Sequence, residues 1–126
     1  MELAPLLKAH FAGLAAKFDL TPPQALALRQ LEPDAGAPMN RLAEVLLCDA
    51  SNVTGIVDKL EARGLIERQA DAGDRRVKVI ALTSAGAKLR ERFLGAASEP
   101  LPAIAALSVT DQKHLAQILE RALAHK

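Results

Sequence analysis

Apolar side chains recur three or four residues apart near the start of the chain, where Leu3, Leu7, Phe11, Leu14 and Phe18 fall on one side of a helix. This stripe predicts an amphipathic helix over 3–18. Thr21-Pro22-Pro23 opens a second helix, with threonine as cap and proline in the first turn, where no intrahelical N–H bond is lost. It carries Leu26, Leu28 and Leu31. Its end is expected near Glu32, because the residue before Pro33 is driven out of the helical region and Gly36 turns freely. Asn40 is placed as the cap of a third helix, Arg41 to Leu47, with Leu42, Val45 and Leu46 on one face. Asp49 then caps a fourth, Ala50 to Arg63, which closes at Gly64, the residue type best suited to a left-handed terminal position. Only a residue or two separates the third and fourth helices, as a helix-turn-helix requires.

After Gly64 the pattern changes period. Leu65-Ile66-Glu67-Arg68 and Val77-Lys78-Val79-Ile80-Ala81-Leu82 are short and partly β-branched, and predict a hairpin whose loop runs from Gln69 to Arg76. Thr83 caps a fifth helix, Ser84 to about Ser98, with Leu89, Phe93 and Ala97 four apart. Pro100 and Pro102 break the helical pattern, so an irregular segment is expected there. Ser108 to Asp111 resembles a capping box and starts the last helix, with Leu115, Ile118, Leu119, Ala122 and Leu123 on one face. The fold class is mainly α with a small β-hairpin wing, a winged helix-turn-helix flanked by terminal helices. Their apolar stripes either complete the core or pair with a second subunit.

The helix-turn-helix and hairpin offer two projecting elements suited to DNA grooves. In the fourth helix, Val53, Ile56, Val57 and Leu60 hold the core spacing, which turns Ser51, Asn52, Thr54, Gly55, Asp58, Lys59 and Ala62 outward. Small polar residues let a helix backbone approach the floor of the major groove, where asparagine pairs with adenine and serine or threonine with several base edges. In the hairpin loop, Asp74-Arg75-Arg76 sets an arginine where it can enter a narrow, electronegative minor groove, with an aspartate to hold the guanidinium.

Composition narrows the function. The 126 residues suit one domain, and half of them are apolar. No apolar run approaches the roughly 20 residues that cross a bilayer, and no secretory leader is recognisable, so a soluble, cytoplasmic protein without a membrane partner is expected. The formal charge is only +1, which argues against general polyanion binding and puts the weight on local charge. Arg68, Arg75, Arg76 and Lys78 stand against Asp71 and Asp74 in the hairpin. Cys48 is the single cysteine, so neither an internal disulfide nor a cysteine-based zinc cluster is available within one chain. Either it is a redox switch, or it is a small buried hydrophobe in the turn before the fourth helix. His10, His114 and His125 lie on the terminal segments with no recognisable nucleophile motif beside them, so no enzyme and no cofactor or metal is expected.

In this order the motifs resemble those of the MarR family of bacterial transcription regulators from Leu20 onward. The similarity rests on Leu20-Thr21-Pro22-Pro23-Gln24, Leu42-Ala43-Glu44, Asn52-Val53-Thr54, Val57 through Arg68, Asp74-Arg75-Arg76 and Leu82-Thr83-Ser84-Ala85-Gly86. The resemblance implies a homodimer with intertwined terminal helices that binds double-stranded DNA, probing the major groove with the fourth helix and the minor groove with the wing. It divides the single 1–126 domain into a DNA-binding lobe, 37–83, and dimerisation helices, 1–20 and 84–126. It assigns base reading to Ser51, Asn52, Thr54 and Gly55, with Lys59 and Arg63 on the helix flank. It makes Arg76 the minor-groove arginine and Asp74 its brace, with Arg68 and Arg75 on phosphate and Lys78 beside them. Leu3, Leu7, Leu115, Ile118, Leu119 and Leu123 fall to the dimer interface. A small aromatic or phenolic effector, as in many members, would lie by His10, Phe11 and Leu28, which also suit core or interface positions. The expected function is a ligand-responsive repressor on a pseudo-palindromic operator, and the rival is a winged helix used only for protein contacts. Three features depart from the pattern. Gly55 stands where many members carry arginine, helix one begins close to Met1, and Pro100 and Pro102 interrupt a helix that is commonly continuous.

Overall fold

Phe93 stands at the centre of the packing. It is fully buried on α5 (Ser84–Ala97), and two rings from the N-terminal segment meet it edge-on, Phe11 at 5.8 Å and Phe18 at 5.7 Å between centroids. Such contacts add about 0.5–1.5 kcal/mol to simple burial. The computed structural model describes residues 3–46 and 50–125. Cys48 and the expected cap Asp49 lie outside the described residues.

The first helix, α1 (Leu3–Lys17), ends in a turn at Asp19, which takes a positive φ of 58°. Next comes α2 (Pro22–Gln30). Thr21 Oγ1 accepts from the Gln24 N–H and Gln24 Oε1 accepts from the Thr21 N–H, a reciprocal box that gives the side-chain oxygen of the buried glutamine its partner. The helix stops short of Glu32, because Leu31 turns extended and drives its side chain fully into the core. Ala37–Pro38 then form a two-residue strand, β1, which the periodicity did not indicate. α3 (Met39–Leu46) follows directly from it. Asn40 is therefore inside the helix and is not its cap, since the strand runs straight into the first turn.

α4 (Ala50–Ala62) ends as expected at Gly64, which has φ 72°. The Gly64 N–H donates to Glu61 O and the Leu65 N–H to Leu60 O, closing the helix in a Schellman motif. β2 (Ile66–Ala70) and β3 (Lys78–Leu82) form the hairpin, and β1 joins the other edge of β3, giving an antiparallel sheet of order β1-β3-β2. β2 reaches two residues further into the expected loop, to a pair between Ala70 and Lys78. The core lies between the sheet and α2, α4 and α5, where Leu28, Leu31, Leu42, Val53, Val57, Leu60, Ile66 and Ile80 are all fully buried. Full burial of each such side chain is worth about 1.5–3 kcal/mol.

The wing is locked to α5 at Thr83. Its N–H donates to Leu65 O, its hydroxyl donates to Gly64 O, and the same oxygen accepts from the Gly86 N–H to cap the helix. Beyond α5 the two prolines leave only a short turn, α6 (Pro102–Ala105), before α7 (Val109–Ala124). Ser108 caps α7 through the Asp111 N–H. No residue of α7 is buried, so its stripe does not complete the core of its own chain.

Candidate nucleic-acid interface

α4 presents the face expected of it. Val53, Val57 and Leu60 anchor the helix in the core, which leaves Asn52, Thr54, Gly55, Asp58 and Lys59 exposed along the outer side. Ser51 lies in the first turn of the same helix. Beside this face a groove of about 480 Å³ runs between the start of α2 and α4, lined by Thr21, Pro23, Gln24, Leu46, Asn52, Gly55, Ile56 and Lys59. A Cβ added at Gly55 would meet nothing within 4 Å, so the missing arginine leaves open surface at this point of the helix.

The wing tip is built by two aspartates. Asp71 Oδ2 accepts from the N–H groups of Gly73 and Asp74, and Asp71 N–H in turn donates to Val77 O across the turn. Sequence reasoning gave Asp71 no role, although Asp-x-Gly-Asp carries the signal of a side-chain-stabilised turn. Asp74 Oδ1 then accepts from both the backbone N–H of Arg76, at 3.0 Å, and its Nε, at 3.3 Å. The backbone hydrogen bond first, and the side-chain one second, hold the Asp74 carboxyl below its ordinary range. Arg76 remains 92 % exposed, so the brace directs the guanidinium without covering it. Arg75 and Lys78 are exposed on the same hairpin. Among the described residues, no ion pair holds Lys59, Arg75 or Lys78.

Two expected DNA contacts have partners within the chain. Arg63 donates from Nη1 to Asp19 O at 2.6 Å, tying the end of α4 to the strained turn between α1 and α2. Arg68 is gripped by Asp58 and Glu61 of α4. The Asp58 hydrogen bond, opposed by desolvation and aided by Glu61, raises its already high pKa. Each has a partner that the linear sequence does not place near it, and Arg63 stays exposed while Arg68 is partly covered.

The terminal stripes remain open. Leu3, Leu7, Ile118, Leu119 and Leu123 are large exposed hydrophobics, and Leu115 is partly covered. Between α1, α2 and α5 lies a cavity of about 290 Å³, lined by His10, Phe11, Leu14, Arg29, Phe93 and Leu94 among others. His10 and Phe11 reach it. Leu28 is 1 % exposed and belongs to the core, because its face of α2 turns toward the other helices.

This geometry agrees with known proteins. The sequence pattern of the MarR family matches residues 20–78, from the turn before α2 to the start of β3. The chain belongs to the MarR family. A probable transcriptional regulator from Pseudomonas aeruginosa, solved as a crystal structure, is 34 % identical and superposes with a TM-score of 0.73, covering 96 % of each chain. The MepR–DNA complex of Staphylococcus aureus is similar at 28 % identity and a TM-score of 0.73, over 97 % of this chain and 91 % of MepR. The organic hydroperoxide resistance transcriptional regulator of Bacillus subtilis is 34 % identical over 66 % of this chain and 56 % of its own length. The matched regions span 43–73 % of the length of the curated relatives, and 56 % of that of the hydroperoxide regulator. The MarR pattern itself stops before α5, whereas the superpositions extend over the terminal helices as well. Among the described residues, no helix is long and apolar enough to cross a membrane.

Proposed function

We propose that the chain is a sequence-specific DNA-binding transcriptional regulator, working in the cytoplasm as a homodimeric repressor on a pseudo-palindromic operator. Residues 37–83 are the DNA-binding lobe, and 1–20 and 84–126 the dimerisation helices. The observation that carries this reading is the pairing of two exposed elements. The outer side of α4 is small and polar beside Lys59, and the wing tip holds out Arg76 on a brace made by Asp74. Asn52 and Thr54 suit base edges, with Ser51 and Gly55 at the same end of the helix. Lys59, Arg75 and Lys78 suit phosphates, which position a protein without specifying sequence. The exposed cations also disfavour a winged helix used only for protein contacts. That MepR was crystallised with DNA supports the reading by similarity.

Gel-shift titration of the protein with the DNA flanking its own gene tests this, with half-sites expected roughly 10 base pairs apart. Tight binding at moderate salt that is lost on scrambling the sequence is expected; equal binding to scrambled DNA refutes it. Asn52→Ala should relax base preference by about 1–3 kcal/mol, the worth of one bidentate base contact. The cavity by His10 and Phe11 suits a small aromatic or phenolic effector, since aromatic walls and one titratable group are the usual makings of such a site. Release of the operator by members of a panel of phenols and aromatic acids, abolished by Phe11→Ala, is the expected sign of it.

A further inference from the structure

Arg68 lies in the middle of β2, opposite Ile80. Cross-strand partners share a face of the sheet, and Ile80 is fully buried, so Arg68 projects toward the body of the lobe and α4. There its guanidinium spans two carboxylates three residues apart on one face of the helix. Nη2 donates to Asp58 Oδ1 and Nη1 to Glu61 Oε1. The planar fork donates to the two acids from separate nitrogens, a geometry that the flexible point charge of a lysine does not reproduce.

Charge at this corner argues against contact with phosphate. Two acids face one cation, so the cluster is net negative, and both Nη atoms of Arg68 already hold a carboxylate. Position argues for another task. The root of the hairpin is fixed by buried Ile66 and by the Thr83 junction, while the tip, from Asp71 to Arg76, leans on contacts within its own loop. Between root and tip, Arg68 is the next inward-facing residue of β2 after Ile66, and among the described residues its ion pairs are the ones that join the hairpin to α4.

We propose that Arg68 is a positioning residue that sets the angle between wing and recognition helix, so that Arg76 and the outer face of α4 meet their two grooves in the same register. It touches no DNA itself. The proposal rests on the DNA-binding reading above and adds a determinant of specificity that acts through Arg76.

Arg68→Lys separates the two roles, because it keeps the charge and loses the fork. The full chain and its Arg68→Lys, Asp58→Asn and doubly substituted variants are titrated on operator and on scrambled duplex at several salt concentrations. Amide exchange across β2 and β3 is followed in the same proteins without DNA. The expected result is a fall of about tenfold in the ratio of operator to scrambled affinity for Arg68→Lys, with an unchanged salt slope. The double variant should fall little further, since both substitutions open one clasp. Wing amides should exchange several-fold faster. A Lys variant that matches the parent in ratio and exchange overturns the proposal, as does an Arg68→Ala variant whose salt slope drops by about one with selectivity kept, the mark of a lost phosphate contact. If the parent itself fails to distinguish operator from scrambled DNA, the regulator reading falls, and the exchange rates still decide whether the clasp holds the wing.

Discussion

Arg76 is nearly fully exposed, yet its direction is set by a single carboxylate that it meets through both backbone and side chain. An exposed ion pair of this kind contributes little to stability. Its value lies in reducing the freedom that the guanidinium would lose on entering a groove. Arg76→Ala is therefore expected to leave the unfolding midpoint unchanged and to weaken operator binding about tenfold, or 1.4 kcal/mol. The loss should be larger on A·T-rich flanks, where the minor groove is narrow; an equal loss on all flanks in a gel-shift series would show a contact with phosphate alone. The pH dependence follows from the depressed Asp74 pKa. A carboxyl held below its ordinary value of 3.8 contributes its brace fully above that value and loses it only as pH falls through the lower, folded value. The wing should keep its geometry throughout the neutral range, and the Asp74 carboxyl resonance should titrate with a midpoint below 3.8.

At the scale of elements, glycines that look alike along the chain have opposite tasks. A Cβ on Gly86 would lie 1.8 Å from Leu65 O, a backbone atom that no rotamer change can move. Gly86→Ala must separate α5 from the root of the wing, and a loss of about 3 kcal/mol or more is expected in urea unfolding. Gly55 has open space around it within α4, so Gly55→Ala should raise stability by about 0.5–1 kcal/mol. If α4 enters a groove closely at that point, the same variant should bind operator less well despite folding better. Elements with a strong local signal were legible from sequence. Thr21-Pro22-Pro23, Thr83 and Gly64 each bound a helix through contacts within a few residues, and the structure shows all three as read. β1 was not legible, because two residues have no period and become a strand only by pairing with Val79 and Ile80 some forty positions away. The same reason explains the site. The outward face of α4 follows from helical period alone, whereas the contacts of Arg63 and Arg68 depend on Asp19 and on Asp58 with Glu61, partners that the fold alone supplies.

For the whole molecule, electrostatics and the open apolar surface lead to the same requirement. A net charge of +1 gives one chain little attraction for a polyanion, and the exposed Lys59, Arg75 and Lys78 offer few phosphate contacts. Two copies double both and set the recognition helices in fixed relation, so that the second half-site binds at high effective concentration. α7 has the means to pair them, with Ile118 and Leu119 both 49 % exposed and Leu123 60 % on a helix that buries nothing of its own. Leu119→Lys is the sharpest test, because the added positive charge favours DNA by itself. Any loss of binding must then come from loss of the dimer. Burying an unpaired ammonium costs several kcal/mol, so dimer dissociation should rise by at least about 100-fold and sedimentation should show monomer at micromolar concentration. In the parent, Lys59, Arg75 and Lys78 of the two subunits set a salt slope of about −5, at −0.9 for each phosphate neutralised. In Leu119→Lys the slope should fall to roughly half, with operator affinity reduced to the level of scrambled DNA. A variant that sediments as a dimer and keeps the steep slope would move the interface away from α7.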